Sequence, residues 1–212
     1  MSLADLVDPD QERSFESRNG ELVFGNFSAE LTGVDGRYLE FYRIIPIEDG
    51  FRLFSPMRSR ADRDVELTLD YEVTTADGLA LDVMKIDFFG LAHGDGAAAG
   101  FEASPSAAGR EAMDRLDAKL RGPRGRGSAT DDLSFEGLLS EIALSESIGV
   151  QTDDCGHGNC IHRELAKAFI TSRHFSTAVA EVPEPGTLGM LSLGLALLVR
   201  QQRGRRRGAA RS

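Results

Sequence analysis

The chain has 212 residues with 41% hydrophobic and 27% charged side chains, the size and balance of one globular domain with room for an appendage. A formal net charge of -10 argues against nucleic-acid binding, because phosphate backbones are held by clustered cations. A single short apolar run excludes a polytopic membrane protein, and with no Trp the 12 Phe supply most of the aromatic core.

From the N-terminus, residues 1–20 are polar and acidic, with neither the positive n-region nor the apolar h-region of a secretory leader. MSLADL reads as the beginning of a folded domain. Leu22, Phe24 and the stretch from Phe27 to Leu31 predict one or two strands. A hairpin is predicted from Leu39–Ile47 and Phe51–Phe54, turning at Glu48-Asp49-Gly50. The clearest element runs from Arg63 to Thr75, where Val65, Leu67, Leu69, Tyr71 and Val73 alternate with polar residues, the signature of a half-buried strand. Asp77-Gly78 is a hairpin turn, and Leu79, Leu81 and Val83 continue, after a bulge, to Ile86 and Phe88.

Gly94 to Gly100 and Gly122 to Gly127 read as loops. Between them Met113, Leu116 and Leu120 recur at three and four, which predicts a short surface helix over 110–120. Leu138–Val150 and Leu165–Phe175 form the final pair of strands. Short strands with antiparallel turn signals predict a mainly β fold, an antiparallel β-sandwich over residues 1–180.

Candidate chemistry in this body is sparse. Asp153-Asp154-Cys155-Gly156-His157-Gly158-Asn159-Cys160-Ile161-His162 places both cysteines and two of the four histidines within eight residues. Cys155, His157, Cys160 and His162 could fill a zinc shell, although the spacing is compressed for one, and the two cysteines could instead form a disulfide or stay free. His93 lies in a Gly-rich loop and His174 on a strand, so a Ser-His-Asp triad has no support. Glu66, Asp70 and Glu72 line one strand face; a solvated face is favoured over Ca²⁺ ligation. No residue is assigned a catalytic role, and no cofactor is expected.

The last segment, 181–212, has its own composition. Val182-Pro183-Glu184-Pro185 leads into residues 186–199, fourteen residues without a charge, roughly 21 Å as a helix against the ~30 Å core of a bilayer. Arg200, Arg203, Arg205, Arg206, Arg207 and Arg211 follow with no acid among them; without these six, residues 1–199 hold 18 cations against 34 acids, a charge of -16. A core helix would carry a polar face and could not bury that cluster. A short membrane helix fits better, with the arginines held on the cytoplasmic side as a stop and the acidic body on the far side.

In this order, tripeptide, apolar run and terminal Arg cluster, the segment resembles the PEP-CTERM sorting signal of exported proteins in Gram-negative bacteria. It departs from that pattern in a short apolar run and a long basic tail. The resemblance implies recognition and processing by exosortase, a membrane-embedded cysteine protease. It also implies an inner-membrane intermediate and final placement at the cell surface or in an extracellular polysaccharide matrix. GELVFGNFSAELTG, LTLDYEVTT and ALSESIGV with AKAFITSRHFSTAVAEVPEP are similar to the small Gly-rich β-sandwich found ahead of many such tails, which implies a fold and no catalytic residues. Export needs an entry signal, so the start codon is expected to lie upstream of Met1; a cytoplasmic protein is the alternative. In an oxidising compartment a Cys155–Cys160 disulfide is favoured.

The function expected is therefore that of an exported, non-enzymatic surface or matrix protein. The rivals are a secreted metal-dependent hydrolase built on the 155–162 cluster, and a carbohydrate- or matrix-binding module. The second would need exposed aromatics along one sheet, with Tyr38, Tyr42 and Tyr71 the tyrosines available.

Overall fold

Alternation of inward apolar and outward polar residues is the organising pattern of the whole body, not only of residues 65–75. In a computed structural model, which describes residues 1–8, 10, 13–60, 64–93, 97–107, 114–121, 124–152 and 165–179, it builds eleven strands in two antiparallel sheets. The strands are β1 (Phe15–Glu16), β2 (Leu22–Thr32), β3 (Arg43–Ile47), β4 (Gly50–Arg60), β5 (Val65–Thr75), β6 (Leu79–His93), β7 (Ala98–Ser106), β8 (Leu116–Arg121), β9 (Arg124–Leu139), β10 (Glu141–Gln151) and β11 (Leu165–Val179). One sheet has six strands in the order β1-β2-β5-β10-β7-β8, the other five in the order β3-β4-β11-β6-β9. The chain divides into two units, Met1–Val179 and Ala180–Ser212, and every described residue belongs to the first.

The inner faces of both sheets meet in one core. Its centre is aromatic: Phe15, Phe24, Phe27, Phe51 and Tyr71 pack with neighbouring ring centroids 5.0 to 6.4 Å apart. Each fully buried large side chain contributes about 1.5–3 kcal/mol. The first residues are part of this body. Ser2 and Asp5 form a reciprocal capping box on a one-turn helix, Leu3–Leu6, whose two leucines are buried. Met1 and Ile44 exchange backbone hydrogen bonds, so the N-terminal residues cover the free edge of β3.

Several sequence expectations give way to tertiary pairing. Residues 116–121 are a strand: Leu116 and Ala118 are buried opposite Ala103 and Phe101, while Asp117 and Lys119 face out, so the two-residue period of LDAKLR overrides the weaker helical spacing. Residues 98–100 and 124–127, read as loop, lie in β7 and β9, because Ala99, Phe101 and Ala103 are small or spaced inward residues whose glycine neighbours mask the alternation. Leu39 to Phe41 belong to a 3-10 helix, Gly36–Phe41, capped by the Asp35 side chain, and β3 begins only at Arg43. The bulge of β6 falls at Asp82 rather than after Val83. Finally, β10 and β11 are not partners: β10 pairs with β5 and β7, β11 with β4 and β6, so the chain changes sheets between Gln151 and Leu165.

Candidate functional site

The residues singled out in the tail and in the Cys/His cluster (Cys155, His157, Cys160, His162, Val182, Pro183, Glu184, Pro185 and the arginines from Arg200 onward) lie outside the described residues, as does the apolar run 186–199. Among the described residues, no helix is long and apolar enough to cross a membrane, and no three His, Cys, Asp or Glu side chains converge as a metal site requires.

What the sequence did not announce is a charged group sealed between the sheets. Glu146, on β10, and Arg173, on β11, are both fully buried and face each other across the sandwich. Arg173 donates from Nε at 3.0 Å and from Nη2 to the same carboxylate oxygen, and from Nη1 to the Thr171 carbonyl at 2.8 Å. Tyr71, on β5, donates its hydroxyl to the other carboxylate oxygen at 2.5 Å. The guanidinium also stacks 4.8 Å from the Phe51 ring centre and 5.3 Å from that of Phe101. Burial opposes the Arg173 charge, but the Glu146 carboxylate outweighs it and holds the guanidinium more firmly charged than usual. The Tyr71 hydroxyl is pushed well up, first by burial and then by the Glu146 charge. No solvent reaches the group, so its arrangement suits a cross-link between sheets rather than catalysis. Unbroken alternation along β10 makes the inward position of Glu146 legible in the sequence; the bulge between Ala168 and Ile170 that turns Arg173 inward is not, nor is the meeting of the two charges.

On the surface, His174 faces outward from β11. Its Nδ1 is 3.0 Å from both Asp49 oxygens, on the β3–β4 turn, and its Nε2 is 3.6 Å from Asp87, on β6. It therefore fastens the turn to the sheet. Asp87 also accepts from Thr130, on β9, and pairs with Lys85.

The two outer faces differ in chemistry. On the six-stranded sheet Glu66, Asp70 and Glu72 are each hydrogen-bonded across strands, to Ser147, Ser28 and Asn26; Glu66 and Asp70 are exposed and Glu72 is half-buried. Gly100 and Gly149, directly opposite each other, leave a shallow cleft of about 270 Å³ walled by Thr32, Glu66, Glu102, Lys119 and Ser147. On the five-stranded sheet, cations alternate with exposed apolar side chains. The tyrosines available for an aromatic surface are not on that face: Tyr42 and Tyr71 are core residues, and Tyr38 sits on the 3-10 helix. Among the described residues the exposed aromatic of the sheet is Phe54, with Phe89 and Phe169 half-buried.

Comparison with known proteins places the tail. Residues 181–207 match the PEP-CTERM protein-sorting motif, so the chain carries that sorting signal at its C-terminus. No curated protein matches the chain. Among solved structures, TmCBM61 in complex with beta-1,4-galactotriose is similar at 10% identity and a TM-score of 0.39, covering 72% of this chain and 89% of that one. A family 11 carbohydrate-binding module of the cellulosomal cellulase Lic26A-Cel5E of Clostridium thermocellum is similar at 10% identity and a TM-score of 0.26, covering 80% and 94%. Likeness at this level carries no argument about ligand.

Proposed function

We propose that this is an exported, non-enzymatic surface or matrix protein, delivered through its C-terminal segment and processed there by an exosortase. The observation that carries the reading is the sorting motif at 181–207, with its fixed order of Pro183-Glu184-Pro185, apolar run and arginines. Each part has a physical task. Two prolines keep the flank out of helix, because proline lacks a backbone donor and restricts the residue before it, and an extended backbone is what a protease binds. The apolar run seats the chain in the inner membrane. The arginines stop it, since drawing one to the bilayer centre costs about 2.5–3.5 kcal/mol even on the lenient insertion scale. Export to an oxidising compartment favours a Cys155–Cys160 disulfide.

The test is processing. In a host with an exosortase, the extracellular form should end near Pro185, and replacing Pro183 and Pro185 by Ala should leave full-length protein in the inner membrane. Mass spectrometry that recovers the 203–211 arginines on extracellular protein would overturn the reading.

A further inference from the structure

The outer face of the five-stranded sheet is built of three rows that cross it, given by the strand register. Arg43, Phe54, Ile170 and Phe89 form the first. Ile45, Arg52, Ser172 and Asp87 form the second, and Arg58, Lys167 and Leu91 the third. Neighbours in a row are about 4.8 Å apart, and successive residues on one face of a strand about 7 Å. Phe54 and Ile170 are 42% and 38% exposed, high values for side chains of this size on the inner strands β4 and β11, and Ile45, on the edge strand β3, is 46% exposed. A β-bulge between Ala168 and Ile170 adds one more: Phe169 lies against the Phe89 ring, centroids 5.8 Å apart, with Lys167 Nζ 5.9 Å from the Phe169 ring centre. Arg43 and Arg52 have no ion pair among the described residues. The acids near this face are occupied or peripheral: Asp87 by Lys85, Thr130 and His174, Asp132 opposite Lys85 on the edge strand β9, and Asp5, whose charge Arg43 feels, by the Ser2 amide.

We propose that this face binds an acidic polysaccharide, a chain of sugar rings bearing carboxylates. The reading rests on export, which puts the face in contact with extracellular polymer. Cations and apolar side chains are interleaved here residue by residue, so the partner must interleave anions and apolar surface on the same scale of about 5–7 Å. A pyranose uronate does: one ring face is C–H and packs on Phe54, Ile170 or Phe89, while its carboxylate takes the planar fork of Arg43 or Arg52. A lipid surface does not, because its charges and its hydrocarbon lie in separate layers. A nucleic acid also interleaves the two, but a duplex carries about one charge per 1.7 Å, far denser than cations set about 5–7 Å apart among apolar side chains can match.

The test is retardation of the purified full-length protein, in mild detergent, on native gels containing sodium alginate, with dextran as the neutral control. It depends on no processing step, so its failure leaves the sorting reading intact, and the sorting reading can fail while it succeeds. Alginate should retard the protein, dextran should not, and salt should weaken the effect. Arg43→Glu with Arg52→Glu should weaken binding roughly tenfold, the loss expected for two charge-assisted contacts. Lys119→Glu with Arg121→Glu makes the same change in net charge on the opposite sheet and should leave binding intact. Phe54→Ser should weaken it with no change in charge. Equal losses from the two charge-reversed pairs, retardation unaffected by Phe54→Ser, or preference for single-stranded DNA or for mixed micelles of phosphatidylglycerol over alginate through Arg43 and Arg52, would each overturn the proposal.

Discussion

Arg173 shows how much one buried residue can commit. Its guanidinium is shared between a carboxylate, a carbonyl and two aromatic faces, and with Tyr71 it satisfies both oxygens of Glu146. Removing one partner strands a charge in the core and should cost about 3–5 kcal/mol, read as a lower urea midpoint for Glu146→Gln or Arg173→Met alone. The double variant Glu146→Leu with Arg173→Met should recover much of the loss, because desolvation of both ions is then relieved together. A double variant less stable than the sum of the singles would refute that account. Tyr71 adds a pH dependence of definite sign. Its folded-state pKa is raised, so its contribution is complete below the ordinary tyrosine value near 10 and is lost as pH climbs beyond it. Unfolding midpoints should therefore fall between about pH 9 and 11.5, and Tyr71→Phe should make that fall shallower. It should not abolish it, because burial raises Tyr42 in the same direction.

The β3–β4 hairpin is held from three sides. His174 grips Asp49, the Phe175 amide donates to the Asp49 carbonyl at 2.8 Å, and Gly50 lies directly against β11. A Cβ at position 50 would come within 2.0 Å of the Arg173 carbonyl oxygen. Gly50→Ala should then force β4 away from β11 and destabilise the protein by about 1–3 kcal/mol in urea unfolding. Gly78, by contrast, has a left-handed φ of 80° but open space around it, so Gly78→Ala should cost only the backbone strain, about 1 kcal/mol. Measuring both separates close approach from conformational freedom. The same contrast explains why Glu48-Asp49-Gly50 was readable as a turn while its packing was not.

At the scale of the molecule, charge is segregated twice: between an acidic body and a basic tail along the chain, and between the two faces of the sandwich. The first division needs only the sequence, because residues 200–211 are contiguous. The second needs the register. The processing proposed at the tail and the binding proposed at the five-stranded face can be tested separately. Protein ending near Pro185 should therefore retain the same alginate retardation as full-length protein, while alanines at Pro183 and Pro185 should block processing and leave that retardation unchanged.

The sequence by itself determined the sorting segment, because its signal is a linear order of proline, apolar and basic residues, legible without any tertiary contact. It also determined the β class and strands such as β5 and β10, where the two-residue alternation runs unbroken. Tertiary structure alone decided the rest. LDAKLR became a strand because Leu116 and Ala118 found partners on β7, and the Gly-rich β9 formed because β6 offered it a full-length edge. It alone brought Glu146 and Arg173, 27 residues apart and in different sheets, into one buried ion pair. Phe54, Phe89 and Ile170 likewise became one row across the outer face only through pairing. Periodicity says which side of a strand a residue occupies, but which residues stand beside it depends on partners distant in sequence.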